Sequence, residues 1–209
     1  MRIAGGTMRG RTLAAPDSDA LRPTQDALRP TQDAVREAVF SMLSAVVPGC
    51  SFLDLYAGTG AVGLEALSRG AARVAWVERA PRSLRVLERN AKALCGDPLP
   101  RELRIVRSDV SAWLRRPDLP PGSVSVVYAD PPYVEREGDA VALGAVMAAL
   151  AASGVLAPTA FFVAEQRART PVPAADGFDL LDTRRYGKTQ VSLFRRGAPP
   201  APAGGTATS

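Results

Sequence analysis

Residues 52–71, FLDLYAGTGAVGLEALSRGA, decide the fold, because an apolar run is followed by a glycine-rich turn and a helical pattern. Gly58, Gly60 and Gly63 have the spacing G-x-G-x-x-G, in which glycines let the backbone approach a bound ligand closely. The first turn of the helix offers free N–H groups to the same ligand. Dinucleotide sites share this spacing, so it predicts a nucleotide-like ligand without identifying it.

Strand and helix patterns alternate along the rest of the chain. Predicted strands occupy residues 50–57, 73–78, 103–109, 124–133 and 160–166, and predicted helices occupy residues 60–68, 80–94, 110–116 and 140–153. Residues 178–196 read as two strands around the turn Tyr186-Gly187-Lys188. Repeated strand–helix units that end in a hairpin predict an α/β fold. We expect a doubly wound, Rossmann-like sheet that is mostly parallel, with an antiparallel C-terminal hairpin strand.

Composition divides the chain into three parts. Residues 1–34 form a basic arm and a duplicated segment, since residues 21–27 and 28–34 both read LRPTQDA. Residues 35–196 form the predicted domain. Residues 197–209, GAPPAPAGGTATS, have the composition of a disordered tail.

The N-terminal part has a local prediction of its own. Residues 1–16 indicate a short hairpin or extended arm, and residues 17–32 indicate a loop. A helical period of apolar residues then begins, with Thr31 or Asp33 as its cap, and Pro48-Gly49 ends it.

Length and composition narrow the class of protein. The 209 residues suffice for one globular domain with a substantial core. Apolar runs fall short of the roughly 20 residues of a membrane span, and the N-terminus has no signal-peptide pattern. Cys50 and Cys95 provide neither a disulfide framework nor metal-ligand spacing. We therefore expect a cytoplasmic protein without a membrane or metal partner.

Histidine is absent from the sequence. Its absence excludes Ser-His-Asp and Cys-His catalysis, histidine general bases and histidine-based zinc sites. Any catalysis must therefore use carboxylates, tyrosine, backbone groups or a cofactor.

The net charge of +5 is carried mainly by arginine, because only Lys92 and Lys188 among the 26 basic residues are lysines. Residues 1–13 and residues 184–196 are basic and contain no acid. Arginine binds phosphate in bidentate fashion and stacks on bases. Two basic ends therefore predict a polyanionic partner, namely nucleic acid.

Acids follow the predicted strands at the edge where the glycine turn lies. Asp54 would repel a pyrophosphate but can bind a cationic aminoacyl group, which S-adenosylmethionine (SAM) carries. Glu78 ends the second strand and can accept both hydroxyls of a ribose, whether of NAD or of SAM. Asp109 ends the third strand and can accept from an adenine amino group, cap the following helix, or do both.

The fourth strand ends in the most specific signal, Asp130-Pro131-Pro132-Tyr133. Two prolines stiffen the loop and remove two N–H donors. The Asp130 carboxylate and the Pro131 carbonyl then form a pair of acceptors that suits an exocyclic NH₂ group. Tyr133 can stack on a planar base. This loop therefore predicts a site for an exocyclic amino group opposite the glycine turn.

The chain resembles the RsmD-type 16S rRNA guanine-N2 methyltransferases, a family of class I SAM-dependent methyltransferases. The resemblance is carried by RIAGGTMRGRTL, LRPTQDAVREAVFSML, FLDLYAGTGAVGLEALSRGA, VERA, ADPPY and RRYGKTQVSLF, in this order across most of residues 1–196. The family has one LRPT segment leading into D-x-VRE, so residues 21–27 look like an inserted copy. The resemblance then assigns the family roles near the cofactor to Arg29, Pro30, Thr31 and Asp33, although both copies could instead lengthen an RNA-contacting loop.

The resemblance implies a function and a set of site residues. We expect transfer of a methyl group from SAM to the N2 amine of a guanine in 16S rRNA, as free RNA or as the 30S particle, by a monomer. The catalytic residues would be Asp130, Pro131 and Tyr133. The cofactor residues would be Asp54, Gly58, Gly60, Gly63, Glu78, Asp109 and Thr31, and the RNA-binding residues Arg2, Arg9, Arg11, Arg29, Arg185 and Lys188.

Other functions remain open from the residues alone. A DNA or RNA adenine-N6 methyltransferase also needs an acceptor pair for an amine, although the DNA enzymes usually need a recognition insert for which this chain has no room. A protein-glutamine methyltransferase normally has asparagine where Asp130 stands, and a NAD dehydrogenase has no use for the DPPY loop. A methyltransferase-like RNA-binding assembly module without catalysis is the alternative outside enzymes.

Overall fold

The computed structural model describes residues 1–15, 29–132 and 139–197. The first LRPTQDA copy, Tyr133 and the predicted tail beyond residue 197 lie outside the described residues. Within the described part, no helix is both long and apolar enough to cross a membrane.

The chain forms a seven-stranded sheet with helices on both faces. The elements are α1 (Arg29–Met42), β1 (Ser51–Leu55), α2 (Ala61–Ser68), β2 (Arg73–Glu78), α3 (Pro81–Cys95), β3 (Leu103–Arg107), α4 (Val110–Leu114), β4 (Val124–Ala129), α5 (Asp139–Ser153), β5 (Leu156–Arg167), β6 (Phe178–Tyr186) and β7 (Thr189–Arg196). The strand order is β3-β2-β1-β4-β5-β7-β6. Strands β1 to β5 are parallel, and β7 is antiparallel to β5 and β6. The predicted doubly wound sheet with an antiparallel hairpin is therefore confirmed.

Alternation along the strands divides the core into two layers. On β1, Phe52 faces a layer packed by α1, α2 and α3, which we call the α1 face. Leu53 and Leu55 face the opposite layer, which is packed by α4 and α5. Successive side chains of a strand point to opposite faces, so the register of paired strands shows which side chains share a face.

Helix α1 begins earlier than the sequence pattern predicts. It begins at Arg29, so the predicted loop over residues 17–32 is wrong at its C-terminal end. Thr31 and Asp33 lie inside the helix and neither caps it. Proline is tolerated in the first helical turn, where its missing N–H has no partner to lose, so Pro30 does not delay the helix. The helix also ends at Met42, before the predicted stop at Pro48-Gly49.

Residues 1–13 form the predicted hairpin, and it is packed onto the domain. Arg2 and Thr12 form an antiparallel bridge. Ile3 and Leu13 are buried in the core of the α1 face, with 1% and 2% of their surface exposed. The Thr7 N–H donates to the Ser68 carbonyl at the end of α2. Apolar anchors and backbone hydrogen bonds thus hold this segment against the domain as a fixed part of it.

Candidate active site

Parallel strands bring the predicted acids to one edge of the sheet. Strands β1, β2 and β4 run in the same direction and lie side by side. Their carboxyl ends carry Asp54, Glu78 and Asp130 respectively, and Asp109 follows β3 at the same edge. In open α/β sheets, ligands bind at this carboxyl edge, where the strand order reverses. Here the reversal lies between β1 and β4, which is next to both the glycine turn and the DPPY loop.

The turn after β1, which we call the glycine loop (residues 56–60), has a left-handed backbone. Tyr56 has φ 60°, an unusual value for a residue with a side chain, and Gly60 has φ 79° at the N-cap of α2. A Cβ on Gly63 would lie 2.2 Å from the indole nitrogen of Trp76. Gly63 therefore lets α2 pack closely on β2, so packing alone accounts for a glycine there.

Asp54 is a buried carboxylate below the glycine loop. Only 1% of its surface is exposed, and its Oδ2 accepts from the Gly63 N–H at 2.9 Å. Burial raises the pKa of Asp54 to about 7; the Gly63 hydrogen bond opposes the shift, and the Glu78 charge adds to it. A cation that replaced the lost water would favour the charged carboxylate. Asp54 is therefore suited to a positively charged group.

Glu78 organises the glycine loop. Its Oε2 accepts from the Gly58 N–H at 2.8 Å. Its Oε1 accepts from the N–H groups of Arg79 and Ala80 at 2.8 and 2.6 Å. The carboxylate that the sequence assigns to a ribose therefore also shapes the loop against which that ribose would lie.

Asp109 does cap α4. Its Oδ1 accepts from the Ala112 N–H at 3.2 Å, as a helix N-cap does. Its Oδ2 lies 3.3 Å from the guanidinium of Arg79 in an exposed ion pair. Burial and then the Asp109 charge raise the pKa of the Tyr56 hydroxyl. Tyr56 is thus a further residue of this edge, and no sequence motif pointed to it.

Asn90 is a second residue that sequence reasoning missed. It is 3% exposed on α3. Its Oδ1 accepts from the Ala14 N–H at 2.8 Å, and its Nδ2 donates to the carbonyls of Ala14 and Thr59 at 3.2 and 3.0 Å. Thr59 belongs to the glycine loop, so Asn90 joins that loop to the end of the N-terminal hairpin. Only the three-dimensional contacts identify it, because an asparagine within a helix carries no distinctive signal.

Asp130 and Pro131 follow β4 directly across from the glycine loop. The Oδ1 atom of Asp130 is buried and has no hydrogen-bond partner among the described residues. Burial, followed by the charges of Glu165 and Asp54, raises the pKa of Asp130 well above its usual range. Buried polar atoms are nearly always satisfied, so this acceptor indicates a place for a donor from a ligand. Tyr133, the third predicted catalytic residue, lies outside the described residues.

The predicted RNA-binding residues do not lie together. Arg185 and Lys188 flank the β6–β7 turn, which meets the carboxyl end of β5 because the Ala168 N–H donates to the Lys188 carbonyl. They therefore lie on the edge that carries the acids. Within the same basic run, Arg184 pairs with Asp182, and Arg196 donates to the Leu156 carbonyl. Arg185 itself donates to Oε1 of Gln190 at 3.1 Å.

The N-terminal cations lie toward the opposite edge. Arg9 follows the contact between Thr7 and Ser68 at the end of α2, and Arg11 donates to the Ala93 carbonyl near the end of α3. Helices that follow parallel strands run back from the carboxyl edge, so α2 carries Ser68 about 10 Å away from it. Arg2 is exposed on the same hairpin.

Arg29 and Thr31 lie in the first turn of α1, and their side chains are outside the described residues. Among the described residues, no group of three or more histidines, cysteines, aspartates or glutamates is arranged to hold a metal ion.

Comparison with known proteins agrees with this arrangement. A family model described as Conserved hypothetical protein 95 matches residues 1–195. Ribosomal RNA small subunit methyltransferase D of Escherichia coli K12 is 33% identical over 199 residues, which are 95% of this chain and 91% of the relative. The enzyme of the same name from Haemophilus influenzae is 28% identical over 197 residues, 93% of each chain.

Solved structures give the same result for the fold. The Escherichia coli protein yhhF superposes with a TM-score of 0.77 at 30% identity, covering 95% of this chain and 99% of that one. Magnesium protoporphyrin IX methyltransferase from Synechocystis, solved with bound SAM, has a TM-score of 0.63 at 15% identity. The match covers 94% of this chain and 88% of that one. At that identity it shares the fold alone. The match over nearly the whole chain, on a class I methyltransferase fold, shows that the chain belongs to the RsmD-type family of ribosomal RNA small-subunit methyltransferases.

Proposed function

We propose that the chain transfers a methyl group from SAM to the exocyclic N2 amine of a guanine in 16S rRNA. One observation carries the proposal: at the strand-order reversal, Asp130 has a buried carboxylate oxygen without a hydrogen-bond partner among the described residues, and Pro131 follows it in the chain. Two acceptors at this position suit the two donors of an amino group. The relatives named as small-subunit rRNA methyltransferases support the choice of ribosomal RNA.

The residues at the carboxyl edge fit SAM. Asp54 would hold its ammonium group, since burial favours a cationic partner there. Glu78 and Asp109 would accept from its ribose and adenine, and the glycine loop with Gly58 and Gly60 would pass close to it. Thr31 completes the proposed set. When bound, SAM supplies an electrophilic methyl group on a sulfonium sulfur.

Asp130 and Pro131 would position the target amine. Their two acceptor oxygens would hold the N–H groups of the amine and orient the nitrogen lone pair toward the methyl group. Such placement can supply several kcal/mol of a barrier, because it replaces a bimolecular encounter by a fixed geometry. Tyr133 would stack on the guanine ring, which must leave its stack to enter the site.

Cations on two sides of the domain would hold the RNA backbone. Arg185 and Lys188 lie beside the site, whereas Arg2, Arg9 and Arg11 lie toward the opposite edge, and Arg29 would add a contact at the start of α1. Phosphate contacts position an RNA without reading its sequence. A monomer with two separated basic surfaces would therefore suit a long or folded substrate, either 16S rRNA or the 30S particle.

The test is methyl transfer from labelled SAM to unmodified small-subunit RNA, as naked RNA and as 30S particles, with nucleoside analysis of the product. We expect N2-methylguanine, and loss of transfer in Asp130→Ala with RNA binding retained. N6-methyladenine would instead support the adenine-specific alternative. RNA binding without any product on either substrate would favour the assembly-module alternative.

RNA binding should weaken steeply with salt if the cations neutralise phosphates. Each phosphate that a variant no longer neutralises should make the slope of log affinity against log salt shallower by roughly 0.7 to 0.9. Lys188→Ala is the variant to compare with wild type, and Lys92→Ala, on an exposed pair with Asp97, is its control. An unchanged slope in Lys188→Ala would remove this lysine from the RNA surface.

A further inference from the structure

Asp130 stands next to a buried acid of the neighbouring strand. Strands β4 and β5 pair in parallel, with Tyr128 opposite Val163 and Ala129 opposite Ala164. The next positions along these strands are Asp130 and Glu165. Tyr128 and Val163 belong to the core of the α1 face, so alternation directs Asp130 and Glu165 to that same face.

Tyr128, two residues before Asp130, contacts Glu165. Its hydroxyl donates to Oε2 of Glu165. Both residues are buried, with 5% of Tyr128 and 9% of Glu165 exposed. Tyr128 is also in register with Asp54 on β1. Three strands thus place a row of buried side chains, Asp54, Tyr128 and Glu165, beneath the end of β4.

The charged groups around Asp130 come from each neighbouring strand. Asp54 faces it from β1 and Glu165 from β5, and both disfavour a negative charge on Asp130. Arg167, two residues beyond Glu165 on β5, lies on the same face by alternation. Val191 of β7, opposite Glu165 in the register, contributes no charge. The charges of Glu165 and then Asp54 raise the pKa of the Asp130 carboxyl.

The two acids differ in how their charged forms are stabilised. Burial raises the pKa of Glu165, but the Tyr128 hydrogen bond lowers it. Asp130 has no such donor among the described residues, and the Glu165 charge raises its pKa further. The Tyr128 hydrogen bond therefore favours the charged form of Glu165, whereas no described donor favours the charged form of Asp130. A general base works best when its pKa lies near the operating pH, which an ordinary aspartate does not reach.

We propose that Glu165, fixed by the Tyr128 hydroxyl, is a positioning residue that makes Asp130 the acceptor of the proton released from the methylated amine. This inference rests on the proposed function. The N–H bond of the amine breaks, its electron pair stays on nitrogen, and an O–H bond forms on the Asp130 carboxylate. The proton passes to solvent when the product leaves.

The test compares wild type with Glu165→Gln, which keeps the size of the side chain and removes its charge. Without the Glu165 charge, the pKa of Asp130 falls, so the acidic limb of the kcat–pH profile should move to lower pH by about one unit. The plateau of kcat should drop by at most about tenfold because Asp130 becomes a weaker base by about one pKa unit. Glu88→Gln, an acid in an exposed pair with Arg107, is the matched control and should leave both unchanged.

A second readout needs neither SAM nor RNA. In the free protein labelled with ¹³C-aspartate, the titration midpoint of the Asp130 carboxyl should fall in Glu165→Gln. Tyr128→Phe should move it in the same direction by a smaller amount, because Glu165 then takes up the proton more readily. A midpoint that stays in place in Glu165→Gln, with transfer reduced equally at every pH, would reduce Glu165 to a structural role.

This design separates the inference from the proposed function. The carboxyl titration reports on Asp130 whatever the substrate is, whereas nucleoside analysis reports on the substrate whatever Glu165 does. A shifted titration midpoint of Asp130 without any N2-methylguanine would overturn the proposed function. The guanine amine would then also be wrong as the source of the proton. N2-methylguanine with an unshifted midpoint would overturn only the role of Glu165.

Discussion

Two carboxylates on the same side of the sheet have opposite surroundings. Glu65 on α2 has no exposed surface, and its two oxygens accept from the N–H groups of Ala4 and Gly5 and from the guanidinium groups of Arg36 and Arg69. Asp130 has a buried oxygen with no partner among the described residues. One acid is saturated by the protein and the other is not.

The difference separates a structural acid from a functional one. A buried charge is tolerated when every lone pair is used, and Glu65 meets that condition by tying the N-terminal hairpin and α1 to α2. An acid left with unused acceptors costs stability, and proteins keep such groups mainly where a ligand satisfies them. Asp130 has this second character, and Asp54 accepts a hydrogen bond from Gly63 alone among the described residues, so removing a charge at these two acids should have consequences opposite to those at Glu65.

The largest expected effect is on Glu65. Glu65→Ala leaves Arg36, only 6% exposed, without its buried partner. Breaking a buried ion pair by removing one side costs about 4 kcal/mol. The free energy of unfolding, measured by urea denaturation, should fall by about this amount. If Glu65→Ala does not fold, Glu65→Gln, which keeps one acceptor oxygen, should show a smaller loss.

The matched control is Glu88→Ala, which removes an acid from a pair with Arg107 on the surface. Exposed pairs contribute less than about 1 kcal/mol. If the free energy of unfolding fell equally in the Glu65 and Glu88 variants, the network around Glu65 would stabilise the fold no more than an exposed ion pair does.

The second effect is the pH dependence of Asp54. Its folded-state pKa of about 7 lies above that of an unfolded aspartate, so folding takes up a proton. Its contribution to stability is therefore complete below about pH 4 and is lost as the pH rises to about 7. One such group changes the free energy of unfolding by at most about 1.4 kcal/mol per pH unit.

The measurement is urea unfolding of wild type and Asp54→Asn at pH 5, 6 and 7 without SAM. Asparagine carries no charge, so the variant should become more stable relative to wild type as the pH rises. If the free energies of unfolding of wild type and Asp54→Asn changed in parallel with pH, the raised pKa of Asp54 would be wrong.

The sequence predicts most of the fold, but it does not show which buried acids have all their oxygens hydrogen-bonded. The apolar run within Arg73–Glu78 predicted β2 to the residue, and the alternation of strands and helices predicted the sheet. The start of α1 escaped because Pro30 resembles a loop signal and is equally acceptable in a first helical turn.

The site divides in the same way. Asp54, Glu78, Asp109 and Asp130 were identified because strand ends of a parallel sheet meet at one edge. Glu165 and Asn90 were not, because their roles depend on register and on contacts between distant segments. The split of the basic residues between two edges depends likewise on where the hairpin packs, which composition cannot show.

The third effect concerns the ligand. Asp54→Asn should weaken SAM binding about tenfold, since hydrogen bonds to charged groups contribute about 1.5–3 kcal/mol. Isothermal titration calorimetry at pH 8, where the wild-type carboxylate is ionised, measures it. Wild-type affinity should also rise between pH 6 and 8 as Asp54 ionises, and the variant should lack this rise. A variant that binds SAM as tightly as wild type would exclude Asp54 from the ammonium site.

The smallest expected effect is on Asn90, which lies between the N-terminal hairpin held by Glu65 and the glycine loop of the site. Asn90 uses one acceptor and two donor bonds to join Ala14 to Thr59 of the glycine loop. Asn90→Ala should cost about 1 kcal/mol of stability and weaken SAM binding a few-fold, because the loop loses its support. Asn90→Asp sharpens the comparison, since it keeps the acceptor for the Ala14 N–H and loses both donors.

If donation to the Thr59 carbonyl supports the loop, Asn90→Asp should bind SAM no better than Asn90→Ala, because an anionic oxygen would then face two carbonyl oxygens. If Asn90 only fills space and holds the hairpin, Asn90→Asp should restore most of the affinity. Calorimetric SAM titrations of both variants, beside urea unfolding, distinguish the two cases. Asn90→Asp with near wild-type affinity for SAM would show that Asn90 has a structural role and does not support the glycine loop.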